Sequence, residues 1–219
     1  MDTREVTIPV AEGGLAADVF MPSGPTGVVL FAHGSGSSRH SPRNVAVASQ
    51  LNARSLATVL VDLLTPDEDV LDAQTAELRF DIGLLAERLA GIVDWMGDEP
   101  TLGRLPIGLF GASTGAAAAL VAAATRPDRV AAVVSRGGRP DLAGNALSKV
   151  RAPTLLLVGG LDEEVIVLNE QARAELGEVA ELRIVPGATH LFEEPGTLDQ
   201  VADQAGTWFV THLCIPHPA

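Results

Sequence analysis

Cysteine occurs once in the 219 residues, at Cys214 in the tail, which excludes an intramolecular disulfide and a cysteine-based metal site and makes a reducing compartment the expectation. Positive charge is scarce as well. Lys149 is the single lysine, and 15 basic against 28 acidic residues leave a formal net charge of -13, without the basic footprint that nucleic acid or an anionic membrane surface requires. Met1–Glu5 lacks a basic region followed by a long apolar stretch, so no secretory leader is read there. The longest strongly apolar run, Ala116–Ala124, falls far short of the roughly 20 residues that span a bilayer. A cytoplasmic location is expected, with no membrane and no nucleic-acid partner. Repeats, low-complexity tracts and linker-like stretches are also missing, so one domain over residues 1–219 is expected. A chain that is 47% hydrophobic and 20% charged can bury one sizeable core.

What is present is an alternation of short apolar runs with helical patterns, the signature of a mostly parallel sheet covered by helices on both faces. Glu5–Val10 and Leu15–Phe20, joined by Ala11-Glu12-Gly13-Gly14, read as an antiparallel hairpin, and Pro9 suits an edge strand. Val28–Ala32, Ala57–Val61, Pro106–Phe110, Val130–Val134, Thr154–Val158 and Glu181–Val185 are continuous enough to be buried on both faces, which gives eight strands. Helices are expected near Asn44–Ala53, Phe80–Met96, Thr114–Ala124, Glu164–Leu176 and Thr197–His212, with a weaker candidate at Asp141–Lys149.

In such a sheet, ligands bind beyond the carboxyl ends of the strands. After Pro106–Phe110 comes Gly111-Ala112-Ser113-Thr114-Gly115, a Gly-x-Ser-x-Gly turn between strand and helix, on which a serine is held exposed by a strained backbone between glycines. Ser113 is the candidate nucleophile; the competing reading is a capped glycine-rich turn. Directly after Val28–Ala32, His33-Gly34-Ser35-Gly36 can turn a backbone N–H toward a reacting carbonyl. The expected oxyanion hole is the N–H of Ser35 with that of Thr114, and Gly36 is the alternative donor. His33 itself reads as a loop brace at the edge of the substrate site.

A serine hydroxyl needs a base, and only five histidines are available. His212 and His217 lie at or beyond the last helix and His40 in a polar stretch, whereas His190 follows the final strand on the cleft side. Asp162, in the loop leaving Thr154–Val158, is the candidate acid that orients His190, with an N-cap as its competing role and Glu163 or Glu164 as substitutes. The order Ser113, Asp162, His190 differs from the trypsin-like and subtilisin-like orders.

With these residues in place, the chain resembles the α/β-hydrolases, specifically the dienelactone-hydrolase-like branch. The segments that carry the resemblance are Leu30–Asn44, Asp62–Pro66, Gly108–Gly115, Leu156–Asp162 and Pro186–Glu194. It implies an α/β-hydrolase fold and attack on an activated carbonyl to give an acyl-enzyme that water hydrolyses. The branch it resembles uses a cysteine nucleophile where this chain has Ser113, so lactone specificity does not carry over. The expected activity is hydrolysis of small carboxylic esters, with thioesters and lactones open; the alternatives are acyl transfer with the same residues and a degenerate binding module. No cofactor and no metal are expected, and the oligomeric state is left open. Arg136 and Arg139 either grip a substrate carboxylate or serve as surface ion-pair partners, the cleft is walled by the His33–Asn44 loop, the Leu63–Ala76 segment and the loop around Leu191 and Phe192, and the polar run Ser38–Asn44 rims it or is solvated surface. Only Ser135–Pro153 separates two strands where capped relatives carry an insertion, so no cap domain is expected.

Overall fold

A computed structural model describes residues 1–11 and 13–213; Cys214 and His217 lie outside them. The chain opens with strands β1 (Asp2–Val10) and β2 (Gly13–Met21), paired antiparallel with Pro9 opposite Gly14. The remaining strands are β3 (Gly27–Ala32), β4 (Leu56–Val61), β5 (Ile107–Ala112), β6 (Val130–Arg136), β7 (Thr154–Gly159) and β8 (Ala180–Val185). Sheet order is β1-β2-β4-β3-β5-β6-β7-β8, with every pair from β4 onward parallel. This is the α/β-hydrolase arrangement, an eight-stranded, mostly parallel sheet with an antiparallel pair at one edge. Pro9 has no N–H to give to a ladder and therefore stands on the outermost strand.

Among the described residues six α-helices complete the fold: α1 (Pro42–Ala53), α2 (Pro66–Thr75), α3 (Ile82–Asp98), α4 (Thr114–Thr125), α5 (Glu163–Leu176) and α6 (Thr197–His212). The strand period of two divides the core. Val28, Leu30 and Ala32 pack with Leu89 and Val93 of α3 and Ala118 of α4, while the alternate residues Val29 and Phe31 pack with Leu51 of α1 and Phe209 of α6. Helices thus cover both faces, which is why β3 to β7 are apolar almost without interruption. No helix of the described residues is long and apolar enough to cross a membrane.

Two elements differ from the sequence expectation. Asp141–Lys149 belongs to a 3₁₀ segment, Pro140–Lys149, kinked at Gly144, whose φ of 50° breaks a continuous α-helix. Helix α2 falls where no helix was expected, and its start is fixed by local chemistry. Thr65 Oγ1 accepts from the Glu68 N–H, the Glu68 carboxylate accepts from the Thr65 N–H, and Pro66 sits in the first turn. No separate cap domain stands between β6 and β7 among the described residues.

Candidate active site

Five turns at the carboxyl end of the sheet build one cleft. The sharpest follows β5. Ser113 has φ 51° and ψ -122°, a region that side chains other than glycine rarely occupy, and α4 begins at the next residue. Its backbone is held from β6 outward: the Ser113 N–H donates to the Arg136 carbonyl at 3.3 Å, and the Ser113 carbonyl accepts from the Arg139 N–H at 3.1 Å. The flanking glycines are required sterically. A Cβ on Gly115 would lie 2.4 Å from the His33 carbonyl oxygen, and one on Gly111 would lie 2.4 Å from the Ala116 Cα.

The turns after β7 and β8 are laced together by backbone bonds from Gly160 N–H to the Val185 carbonyl and from Leu161 N–H to the Ala188 carbonyl, each 2.9 Å. That lacing brings Asp162 to His190. Asp162 stands at the N-cap position of α5 but makes no side-chain capping bond; its Oδ2 accepts from His190 Nδ1 at 2.7 Å. Glu163 and Glu164 lie instead in the first turn of α5. The loop carrying His190 is braced by Glu194, which accepts from the Thr189 hydroxyl at 2.7 Å and the Thr189 N–H at 3.1 Å.

Ser113 and His190 line the same cleft of about 230 Å³ together with Gly34, Ser35, Ser37, Ser41, Arg43, Asn44, Ala112, Arg136 and Leu191. An imidazole whose Nδ1–H is held by a carboxylate presents Nε2 as the acceptor, and a serine beside it on a strained turn is a group that such a base can activate.

The loop after β3 separates this cleft from a larger groove of about 700 Å³ bounded by Asp62, Leu64, Pro66, Asp69 and Arg79. His33 anchors the loop at its start. Its Nδ1 lies 2.9 Å from the Gly34 carbonyl and its Nε2 accepts from the Leu63 N–H at 3.2 Å, a pair of bonds that only the neutral ring with its proton on Nδ1 can make. Burial holds this imidazole below its ordinary value of 6.5, against the raising influence of the Gly34 carbonyl and Asp62. Arg39 anchors the far end, with its guanidinium on Asp62, on Asp18 at 3.3 Å and on Glu5 at 3.2 Å. His40, exposed, faces Asp18 at 3.7 Å.

The expected oxyanion donors are arranged differently from the sequence reading. The Ser35 N–H donates to Thr114 Oγ1 at 3.0 Å, so it is engaged by the residue whose own N–H was expected to be its companion. Gly36, with φ 69°, lies one residue further along the turn. The two arginines at the end of β6 and in the turn beyond it also part company. Arg139 pairs with Asp141 through bonds of 2.9 and 2.8 Å, as a surface ion-pair partner does, whereas Arg136 is buried in the cleft wall with no carboxylate upon it among the described residues. The polar run rims the cleft through Ser41, Arg43 and Asn44. Phe192, expected with Leu191 in the wall of the cleft, is buried with φ 56°, and its ring lies 5.8 Å from the Arg136 guanidinium carbon. A non-glycine residue at positive φ gives no sequence signal. Among the described residues no cluster of three or more His, Cys, Asp or Glu side chains could hold a metal ion.

Residues 16–208 match the model of the dienelactone hydrolase family. A solved structure of a dienelactone hydrolase from Anabaena variabilis is 56% identical, superposes with a TM-score of 0.95, and is matched over 97% of this chain and 98% of that one. Est1E from Butyrivibrio proteoclasticus, 17% identical over 95% of this chain and 98% of its own, shares the fold with a TM-score of 0.79. Curated relatives from Mycobacterium tuberculosis, which carry the provisional name phosphoribosyl transferase, are 54% identical over 216 residues, 99% of this chain and 48% of theirs. The chain therefore spans about half the length of the curated relatives it matches. With the Gly-x-Ser-x-Gly turn, the fold and the family model in agreement over most of its length, the chain belongs to the dienelactone hydrolase family.

Proposed function

We propose that the chain is a serine hydrolase that cleaves small carboxylic esters through an acyl-enzyme, with Ser113 as nucleophile, His190 as general base and Asp162 as the acid that orients it. The family and its solved neighbours support a hydrolase; the ester chemistry rests on one observation above all. Asp162 leaves its N-cap role unfilled and spends its carboxylate on His190 Nδ1 at 2.7 Å, in the cleft that Ser113 also lines.

In the acylation step, His190 Nε2 takes the Ser113 proton as Oγ attacks the carbonyl carbon, and the proton passes to the departing alkoxide as the ester bond breaks. The negative charge on the tetrahedral oxygen falls to the Thr114 N–H at the start of α4, with the loop of Ser35 and Gly36 supplying the second donor. In deacylation, His190 takes a proton from water, hydroxide attacks the acyl carbon, and Ser113 leaves with the proton returned to it. Thioesters and lactones present the same carbonyl to the same groups. The provisional name of the Mycobacterium tuberculosis relatives belongs to proteins about twice as long, of which this chain matches 48%.

The test is an intact-mass measurement after treatment with a fluorophosphonate, paired with p-nitrophenyl acetate turnover. One adduct is expected on the wild type and none on Ser113→Ala, whose turnover falls by several orders of magnitude. Absence of an adduct on the wild type would return the chain to the binding-module reading. Added alcohols that divert the acyl group from water would make it an acyltransferase.

A further inference from the structure

The double-glycine turn after β6, Gly137-Gly138, lies where the turns carrying Ser113, Asp162 and His190 converge. On the Ser113 side, the Arg136 carbonyl before it accepts from the Ser113 N–H at 3.3 Å, and the Arg139 N–H after it donates to the Ser113 carbonyl at 3.1 Å. Gly138 is packed so closely that a Cβ would lie 1.9 Å from Ser135 Oγ and 2.7 Å from Ala116 Cβ of α4. On the His190 side, Gly137 has φ 50°, and a Cβ there would lie 3.0 Å from the His190 carbonyl oxygen and 3.6 Å from His190 Cε1. The Gly137 N–H ties the turn to β7 through the Leu157 carbonyl at 2.8 Å.

The third link comes from α5, the helix that Asp162 begins. Asn169 of that helix is wholly buried, and its Nδ2 donates to the Gly138 carbonyl at 3.0 Å and to the Val165 carbonyl of its own helix at 2.8 Å. Facing two carbonyls, the amide can present only its nitrogen, which fixes its orientation. Its Oδ1 is buried with no partner among the described residues. An amide buried with its oxygen unbonded is a costly way to fill a core, since leucine has nearly the same shape and no polar group to desolvate. What asparagine adds at this position is the bond that crosses from α5 to Gly138.

We infer that the Gly137-Gly138 turn, held from α5 by Asn169, sets the place of Ser113 relative to the Asp162–His190 pair, with Asn169 as its positioning residue. This rests on the ester-hydrolase reading given above. Asp162 and His190 are brought together by the bonds of Gly160 and Leu161 to the turn after β8, in which Asn169 has no part. The Ser113 turn, by contrast, is joined to α5 through Gly138. Breaking the Asn169 bond therefore shifts the nucleophile against an acid–base pair that stays intact. Proton transfer from Ser113 Oγ to His190 Nε2 depends on that separation, and a misplacement of about 1 Å costs up to about 10²-fold in rate.

The experiment compares two variants with the wild type. Asn169→Leu keeps the volume and removes both bonds, whereas the hydroxyl of Asn169→Ser can still bond the Val165 carbonyl one turn back but is too short for Gly138. In both, kcat on p-nitrophenyl acetate and the rate of fluorophosphonate labelling are expected to fall about tenfold to a hundredfold, with KM within about twofold of wild type. The low-field proton resonance of His190 Nδ1–H is expected to keep its wild-type position. A lowered Tm with kcat and labelling rate unchanged would overturn the inference and leave Asn169 a core amide. Loss or displacement of the His190 resonance in Asn169→Ser would also overturn it, because the variant would then act on the acid–base pair. Should both variants fail to fold, Gly137→Ala reads the same turn from the His190 side; the same fall in labelling rate is expected, and an unchanged rate would overturn the inference. A wild type that takes no adduct overturns the nucleophile reading and this inference with it. A labelled wild type with variants labelled equally fast overturns this inference alone.

Discussion

The Ser35 N–H donates to Thr114 Oγ1 at 3.0 Å, which joins the loop after β3 to the start of α4 across the mouth of the cleft. That N–H must exchange the hydroxyl for the substrate oxygen if it is to stabilise an oxyanion. Thr114→Ala removes the competing acceptor but leaves the Thr114 backbone N–H in place, and should raise kcat on p-nitrophenyl acetate by up to about fivefold, the equivalent of one net hydrogen bond of about 1 kcal/mol. Thr114→Ser should stay at the wild-type rate. A tenfold drop in Thr114→Ala would mean instead that the hydroxyl holds the loop in its working position.

Asp162→Asn should fold like the wild type, because the backbone of its turn is held by its own N–H on the Gly159 carbonyl at 3.0 Å and by the Leu161 N–H on Ala188. The amide favours the wrong His190 tautomer. Ester turnover should therefore fall by up to about 10⁴-fold with little change in KM, as steady-state kinetics would read.

His33 gives stability a dependence on pH. The folded imidazole, depressed by burial, takes up a proton at lower pH than the unfolded one, whose ordinary value is 6.5. Between those values the unfolded chain binds more protons, so unfolding free energy falls as pH drops below about 6.5. Thermal melts between pH 7.5 and 5 should show Tm declining, and His33→Gln should flatten the decline. It will not abolish it, since burial depresses His212 in the same direction.

Glu68 acts at a lower range. Its bond to Arg88, opposed by burial and aided by Thr65, holds the carboxyl at about 2 against an ordinary 4.5. The stability it supplies is complete above about 4.5 and lost as pH falls toward 2. At pH 7, Glu68→Gln takes the charge of one carboxylate partner from the buried Arg88 and should cost about 3 kcal/mol in urea denaturation.

Substrate size follows from the shape of the cleft. With about 230 Å³ beside Ser113 and no cap domain over it, an acyl chain beyond butyryl or hexanoyl leaves methylenes in water, where each forgoes about 0.8 kcal/mol of burial. Across neutral p-nitrophenyl esters, kcat/KM should peak at short chains. A steady rise through long-chain esters would require a deep tunnel.

The sequence carried the sheet because its central strands are buried on both faces and so read as unbroken apolar runs bounded by turns. Pro9 marked the edge before any pairing was known. The positions of Ser113, Asp162 and His190 were legible because each lies on a turn after a recognisable strand, a property of chain order. What chain order does not carry is hydrogen-bond competition. Nothing in His33-Gly34-Ser35-Gly36 says that the Ser35 N–H finds the Thr114 hydroxyl, and nothing distinguishes Arg136 from Arg139, three residues apart, until Asp141 is seen to reach only the second. Helix α2 was missed despite a readable signal. Thr65-Pro66-Asp67-Glu68 is a capping box with proline in the first turn, but the helix has a weak apolar stripe, with Val70 and Leu71 exposed, so periodicity passed over it.

The outermost strand bears on how the molecule behaves in a crowd. β1 presents a free row of backbone groups, the usual point at which sheets from separate molecules join edge to edge. Its exposed residues are Asp2, Thr3, Glu5, Thr7 and Pro9, which offer charge and hydroxyls, a residue with no N–H, and no large apolar side chain. A second strand laid alongside would confront desolvated carboxylates and a missing donor. The same proline that fixes the place of β1 in the fold thus guards the sheet against self-propagating aggregation.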